Sequence, residues 1–350
     1  MKQLGTQEMD GMSGFTQCAI EPNSSAVYHY TPDKAGTFWW HSHHGTQYAY
    51  GLRGPLIVHA PKSKGKLWDK EYTIQLADIY HAPPPPGPVL WDTIVINNRG
   101  RYDCAAAATH GFSNCNRNQP LSSFEFKAGK KYLLRLINMA AMGTFEFSID
   151  GHQFQVIAAD AEPVARTKRI NSIIVNVGQR YDIIVEAKKA KRGESSFWMR
   201  AKSLTGYPWT ARTADTGTAG FNDEGLAIHP FHLHSHVAWV VGSGFASAED
   251  VYKNNLPAPK LKGAMVRDVY TVPPCEMDET GVCGKVGYVV LRIKADNPGV
   301  WMMHCHIEWH MSIGMGMIFV EGEPELREKG PNAFSKNLLS VCKQGSRTSK

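Results

Sequence analysis

The 350-residue sequence contains no apolar run long enough to cross a membrane as a helix. It also has no block of basic residues and no interleaving of basic with aromatic residues, and its net charge of +6 is spread thinly. These absences argue against a membrane-spanning segment and against nucleic-acid binding. The composition is otherwise globular, with 43% hydrophobic and 20% charged residues, and the length suffices for two or three domains.

Short runs of β-branched and aromatic residues alternate with Gly and Pro along the chain, which predicts an all-β fold. The expected strands between Trp68 and about Ser203 are Leu133–Ile137, Phe145–Ile149, Phe154–Ile157, Ile173–Val175 and Tyr181–Val185. This stretch should form one complete domain.

Histidine is distributed unevenly, since ten of the fifteen lie in three short segments. These are His41, His43 and His44; His229, His232, His234 and His236; and His304, His306 and His310. Each segment contains a His-x-His pair, and alternate residues of a strand project from the same face. A lone histidine is usually structural or exposed, whereas paired imidazoles on one face indicate a metal site.

The last segment also contains Cys305, between two of these histidines. It should enter as a strand over Val300–Met303, which would direct His304 and His306 to one face and Cys305 to the other. A thiolate, two imidazoles and a distant thioether form a blue-copper site. Three of these ligands are available in Cys305, His310 and Met315. The second imidazole must come from elsewhere, and the segment beginning at His229 is an obvious source.

These motifs resemble those of the multicopper oxidases, the family that contains laccases, ascorbate oxidases and ferroxidases. The matching segments are Thr16–Cys18, Gly36–His43, Gly178–Asp182, His229–His234 and His304–His310. The resemblance implies cupredoxin-like domains, which are Greek-key β-sandwiches. It implies the second half of a first domain over 1–65, a complete metal-free domain acting as a spacer over 66–206, and a partial third domain over 207–350.

The resemblance also implies a role for most of the clustered histidines. Type 1 copper would be bound by His229, Cys305 and His310, with Met315 axial; type 2 copper by His232; and the type 3 pair by His41, His43, His234, His304 and His306. The residues implied in catalysis are His304, Cys305, His306 and His310. The remaining two, His44 and His236, match no ligand position and should be structural.

Residues 26–60 repeat the C-terminal copper segment at a constant offset of 263. The matching pairs are Gly36 with Gly299, His41 with His304, His43 with His306, and Gly51 with Gly314. At this register Ser42, Gln47 and Leu52 stand where the C-terminal copy has its thiolate, imidazole and thioether. The repeat therefore predicts a duplicated domain whose first copy keeps the cluster histidines and lacks a type 1 site.

Two features of the family do not appear in the sequence. No His-x-His pair precedes His41, so eight of the family's ten copper histidines are present. Residues 204–225 are rich in Thr, Gly and Ala and suggest no strand, so the third domain should lack its first strands. We therefore expect an incomplete type 2 site and one incomplete type 3 site.

Seven cysteines leave an even number once Cys305 is assigned to copper, which favours disulfides and an oxidising compartment. Two short rings could close, between Cys104 and Cys115 and between Cys275 and Cys283. The resemblance pairs the remaining Cys18 with Cys342 across the first and third domains. Free buried thiols are the alternative. Cysteine parity and the habit of the family suggest secretion, although the sequence contains no signal peptide.

The resemblance implies an enzyme that takes single electrons from a small reducing substrate, such as a phenol, a diphenol or ascorbate, and reduces dioxygen to water. One alternative is a truncated electron carrier or inactive fragment that binds copper without oxygen reduction. Another is the product of a faulty gene model that does not fold. A zinc hydrolase is much weaker, because it requires an open site with a general base and leaves Met315 and the repeat unexplained.

We expect the 350-residue chain to reduce dioxygen poorly or not at all, even if it binds type 1 copper. Type 2 copper would keep only His232, and the type 3 copper served by His41 and His306 would lack its third imidazole. Copper prefers several nitrogen ligands, so the loss of one weakens its binding. A full set for the other type 3 copper remains in His43, His234 and His304. The test is copper stoichiometry and oxygen uptake with a phenol and with ascorbate. Four coppers per chain with full turnover would contradict this expectation.

Overall fold

The computed structural model describes residues 1–61, 67–81, 91–108, 111–189, 196–204, 228–280, 282–330, 334 and 336–345. The expected domain boundaries after residues 65 and 206, and the segment 205–225 in which we expect no strand, lie outside these ranges.

The described chain is mostly β-strand, which confirms the all-β, cupredoxin-like prediction. The strands are β1 (Gly36–His41), β2 (Arg53–Val58), β3 (Lys70–Ile79), β4 (Thr93–Ile96), β5 (Lys131–Asn138), β6 (Phe145–Ile149), β7 (Phe154–Ala159), β8 (Glu162–Pro163), β9 (Ser172–Val175), β10 (Arg180–Glu186), β11 (Met199–Ser203), β12 (His229–Leu233), β13 (Ala238–Ala246), β14 (Met265–Arg267), β15 (Val269–Val272), β16 (Glu276–Met277), β17 (Cys283–Ile293), β18 (Gly299–Cys305) and β19 (Gly316–Glu321). The helices are a 3-10 turn (Gln7–Asp10), α1 (Cys104–Ala107), α2 (Ala248–Tyr252), α3 (Glu308–Ser312), α4 (Glu323–Lys329) and α5 (Lys336–Gly345). Within the described ranges, no helix has the length and apolar character to cross a membrane.

The central part of the chain forms two sheets, one with strand order β4-β3-β5-β10-β7-β8 and one with order β11-β6-β9. All five strands expected from sequence are present here, as β5, β6, β7, β9 and β10. In β6 the apolar Phe145, Phe147 and Ile149 are buried while the polar residues between them are partly exposed. This alternation packs one face of the sheet into the core.

Two four-stranded sheets follow, with orders β15-β12-β18-β19 and β14-β13-β17-β16. Between them lies a small core of Leu233, Ala238, Tyr270 and the fully buried Trp301. Strand β12 pairs with β18 so that His232 is opposite His304. This register brings the second and third histidine segments together.

The internal repeat has a structural counterpart in two hairpins. In the first, β1 pairs with β2 so that His41 is opposite Arg53, and in the second, β18 pairs with β19 so that His304 is opposite Gly316. Adding 263 to both residue numbers of any β1–β2 pair gives a residue pair of the second hairpin. The two hairpins thus share one register.

A single large core connects the three parts of the chain. It contains Tyr48 from the first part, Leu136 and Phe147 from the central sheets, and Cys305 and Trp309 from the last part. The cupredoxin sheets therefore pack as one body around the histidine segments.

All three expected disulfides are present: Cys18–Cys342, Cys104–Cys115 and Cys275–Cys283. The remaining cysteine, Cys305, is a buried free thiol. The Cys18–Cys342 bridge joins residues 324 positions apart and ties the N-terminal segment to α5. The Cys104–Cys115 bridge joins residues only 11 positions apart.

We expect the long bridge to contribute more stability than the short one, because cross-linking a longer loop removes more entropy from the unfolded chain. Replacing Cys18 and Cys342 together by Ala should lower the free energy of unfolding by roughly 2–5 kcal/mol. The matched control, Cys104→Ala with Cys115→Ala, should lose less, by on the order of 2 kcal/mol. Urea unfolding of the two double variants provides the measurement, and equal losses would refute this account.

Candidate metal centre

The first donor set, called here the sulfur set, comprises His229, Cys305 and His310. The Cys305 Sγ atom lies 3.5 Å from His310 Nδ1 and 3.8 Å from His229 Nδ1. The two imidazole rings lie 4.9 Å apart. One thiol and two imidazole nitrogens therefore converge on a space of the size that a single metal ion occupies.

Three elements create this convergence. His229 begins β12, Cys305 ends β18, and His310 lies in the short helix α3 that follows. After α3 the chain returns to the cysteine, where the Cys305 backbone N–H donates to the Met315 carbonyl at 3.0 Å. The backbone of Met315, the fourth residue of the expected type 1 site, thus lies beside the sulfur set.

The second donor set, called here the imidazole cluster, comprises His41, His43, His232, His234, His304 and His306. Within it, one nitrogen each from His43, His234 and His304 lies within 4.8 Å of the other two. The ring of His306 lies 5.0 Å from that of His41 and 5.9 Å from that of His232. The cluster begins directly next to Cys305, since His304 and His306 are its chain neighbours.

Oxygen acceptors orient four of the cluster imidazoles. In each pair the imidazole Nδ1–H donates to an oxygen. His41 donates to the Ser42 carbonyl at 3.1 Å and His232 to the Asp268 carbonyl at 2.7 Å. His234 donates to the Asp10 carboxylate at 2.8 Å and His304 to the Cys305 carbonyl at 2.8 Å. Each ring must carry its proton on Nδ1 to donate, which leaves the Nε2 lone pair for a metal.

The fit to a metal is clearest between His234 and His304. Their Nε2 atoms lie 3.3 Å apart, and the Nδ1 atom of each ring donates to oxygen. Two lone pairs therefore face each other, an arrangement that a cation between them would stabilise. Among the described residues, the buried His43 Nε2 and His306 Nδ1 atoms have no hydrogen-bond partner. Nitrogen donors together with one thiolate suit copper.

Burial keeps these groups neutral. Desolvation lowers the pKa of His41, His43, His304 and His306 well below the ordinary value, with the neighbouring imidazoles adding to the effect. The pKa of His232 falls to about 4, mainly through desolvation. Burial also raises the pKa of the Cys305 thiol to about 12. Copper binding at these five imidazoles would therefore displace no imidazolium proton near neutral pH, whereas binding at Cys305 would displace the thiol proton.

The two clustered histidines expected to be structural lie outside both donor sets. His236 is buried and hydrogen-bonded at both ring nitrogens, to the His234 carbonyl at 2.9 Å and to Glu321 at 3.0 Å, so no lone pair remains for a metal. His44 is exposed and contacts Ser13.

Of three acidic residues near the cluster, two gave no signal in the sequence. Asp10 and Asp268 bind cluster imidazoles, although they lie 224 and 36 positions from their partners in the chain. Glu308, between two expected ligands, is a buried carboxyl group whose pKa desolvation raises to about 8. It is therefore mostly protonated at neutral pH. Only an acid adjacent in sequence, such as Glu308, could have been noticed beforehand.

The β-sandwich fold and the thiol-imidazole donor sets together define a copper oxidoreductase. Models of the multicopper oxidase family match residues 1–63, 70–222 and 208–325. The chain belongs to the multicopper oxidase family, whose members use copper.

The chain is similar to several fungal oxidases. Laccase-1 of Botryotinia fuckeliana is 28% identical, over 98% of this chain and 75% of the relative. Dihydrogeodin oxidase of Aspergillus terreus is 26% identical, over 94% and 74%. Among solved structures, the laccase from Botrytis aclada superimposes with a TM-score of 0.76 at 24% identity, covering 99% of this chain and 81% of that one. Fet3p, a multicopper oxidase that functions in iron import, superimposes with a TM-score of 0.73 at 20% identity, covering 98% of this chain and 83% of that one. These superpositions show the shared fold.

We expect the metal-free protein to lose stability as the pH falls from 6.5 to 5. The unfolded chain takes up protons on histidine near pH 6.5, whereas the folded cluster does so only at lower pH, so acid favours unfolding. Each such histidine contributes about 1.4 kcal/mol per pH unit across this window. Urea unfolding in the presence of a chelator at pH 7.5, 6.5, 5.5 and 5.0 measures the effect. Constant stability over this range would show that the cluster imidazoles are not held neutral.

Proposed function

We propose that these donor sets serve an enzyme that oxidises a small organic reductant one electron at a time and reduces dioxygen to water. The 350 residues supply eight of the family's ten copper histidines, so we expect the chain by itself to carry out the oxygen step poorly. The observation that carries this proposal is the adjacency of the two donor sets. His304 and His306 belong to the imidazole cluster, and Cys305 between them belongs to the sulfur set. Copper held by the two sets would supply single-electron oxidation at the sulfur set and multi-electron oxygen reduction at the imidazole cluster.

We assign the residues of the sulfur set, with Met315 in the axial position, to type 1 copper. His232 is assigned to type 2 copper. The type 3 pair is assigned to His41, His43, His234, His304 and His306. The convergence of His43, His234 and His304 supports one three-nitrogen site, and the closeness of His41 to His306 supports a second position.

The sulfur set is partly exposed to solvent on its imidazole side and buried on its thiol side. Cys305 is completely buried, whereas His229 and His310 are partly exposed. The exposed Ile313, one turn beyond His310 in the chain, offers an apolar contact next to this edge. An aromatic reductant could pack on such a surface while its hydroxyl group faces an imidazole edge. We therefore favour a phenol or diphenol as the reductant, with ascorbate as the alternative, and the laccase relatives support this choice.

The distribution of sheets supports the domain limits 1–65, 66–206 and 207–350 that the sequence suggests. Strands β1 and β2 pair with each other, β3 to β11 form the two central sheets, and β12 to β19 form the two last sheets. Three disulfides support maturation in an oxidising compartment, and hence secretion.

Copper-loaded protein should be blue, because the Cys305 thiolate transfers charge to type 1 copper. Cys305→Ser should abolish the blue absorption, since a hydroxyl group cannot replace the thiolate. His44→Ala, a change to an exposed histidine outside both sets, should leave it intact. Retention of the blue band in Cys305→Ser would overturn the assignment. Oxygen uptake by the blue 350-residue protein with either reductant would exclude the electron carrier, whereas its absence is what both the incomplete histidine set and the electron carrier predict.

A further inference from the structure

We propose that the turn over residues 176–180, which contributes no copper ligand, positions two histidines of the imidazole cluster, His232 and His306. The proposal rests on the function proposed above, and it assigns the central sheets a part in the metal centre beyond that of a spacer. The turn leads into β10 and projects from the central sheets toward the cluster.

The contact with His306 is made by Gly178. Its backbone has a φ of +81°, and a Cβ atom there would lie 2.5 Å from His306 Cδ2 and 2.9 Å from Cγ. The imidazole thus packs directly against the glycine backbone, closer than any side chain permits. Glycine is required here both for the left-handed conformation and for the close approach.

The connection to His232 passes through a buried ion pair. The Arg180 guanidinium donates to both carboxylate oxygens of Asp268, at 2.6 and 2.8 Å, and both residues are buried. The backbone carbonyl of the same Asp268 accepts the hydrogen bond from His232 Nδ1. Anchoring the Asp268 side chain therefore fixes the acceptor that sets the orientation and tautomer of His232.

The turn itself is fixed on several sides. Arg180 donates through Nε to the Thr37 carbonyl in β1 at 3.0 Å, and through a terminal nitrogen to the Gly178 carbonyl at 3.1 Å. The side-chain amides of Asn176 and Gln179 donate to Thr271 Oγ1 at 2.8 and 3.0 Å. Thr271 lies in β15, the strand that pairs with β12 and its histidines. The turn is thus fastened to β1, which carries His41, and to β15, the strand beside β12.

The first test compares two glycines with the same backbone strain. Gly178 and Gly129 have φ values of +81° and +77°, but a Cβ atom at Gly129 would meet nothing within 4 Å. Gly178→Ala should weaken copper binding at the cluster by about 10- to 100-fold, as losses of groups that orient metal ligands do. Its blue absorption should persist, because the sulfur set is untouched. Gly129→Ala should retain both properties.

The measurements are copper content after equilibration with a competing chelator and the blue absorption of the same sample. Selective 15N-histidine spectra of the metal-free protein add a readout that requires no copper. In these spectra Gly178→Ala should shift the His306 ring resonances, and Gly129→Ala should not.

The second test compares two buried arginines. Arg180→Lys removes the paired contact with Asp268, whereas Arg135→Lys alters a buried arginine that binds Asp182 and Glu71 instead. Only Arg180→Lys should broaden or shift the His232 ring resonances of the metal-free protein. This pair decides the question if Gly178→Ala fails to fold.

Unchanged cluster affinity and unchanged histidine spectra in folded Gly178→Ala or Arg180→Lys protein would overturn the proposal. Equal effects in the two control variants would do the same, because they would indicate general destabilisation. A wild-type protein that binds no copper in the cluster would refute the proposed function instead. The metal-free spectra would then still show whether the turn positions the two imidazoles.

Discussion

The arrangement of the metal centre depends on one buried ion pair, between Arg180 and Asp268. Removing two charges from water is costly, and only good geometry with further hydrogen bonds compensates for it. Here the guanidinium bonds both carboxylate oxygens and two backbone carbonyls, one of them in β1. The guanidinium therefore makes all of these bonds only when the first, central and last parts of the chain are in place, which couples the assembly of the fold to the geometry of the cluster.

The second organising constraint is the alternation of side chains along β18. Because neighbouring residues of a strand face opposite sides, three consecutive residues supply two donor sets of different chemistry. A helical segment would place adjacent residues about 100° apart and could not separate the thiol from both imidazoles so cleanly. The same hairpin occurs at β1 and β2 with Ser42 in place of the cysteine, so one architecture serves two purposes.

The sequence predicted the features whose information is local. The strands of the central sheets, the short disulfide rings and the His-x-His pairs all depend on spacing within a few residues, and the structure contains each of them. The family resemblance added the Cys18–Cys342 bridge, which no local pattern specifies. The acceptors Asp10 and Asp268 could not be predicted, because their roles arise from contacts across sheets. The sequence marked Gly178 only as part of a family motif. Its packing on His306 could not be predicted, because that contact depends on how the central and last sheets meet.

The complete burial of Cys305 has a consequence for how the mature protein is made. The thiol is 0% exposed, and the adjoining His304 and His306 are 1% and 3% exposed. These three donors contact little or no solvent, so a metal ion must reach them past the partly exposed His229 and His310, in an unfinished fold, or through a local opening of the last sheets. Copper supply during biosynthesis, and not only affinity at equilibrium, would then determine what fraction of the molecules becomes active.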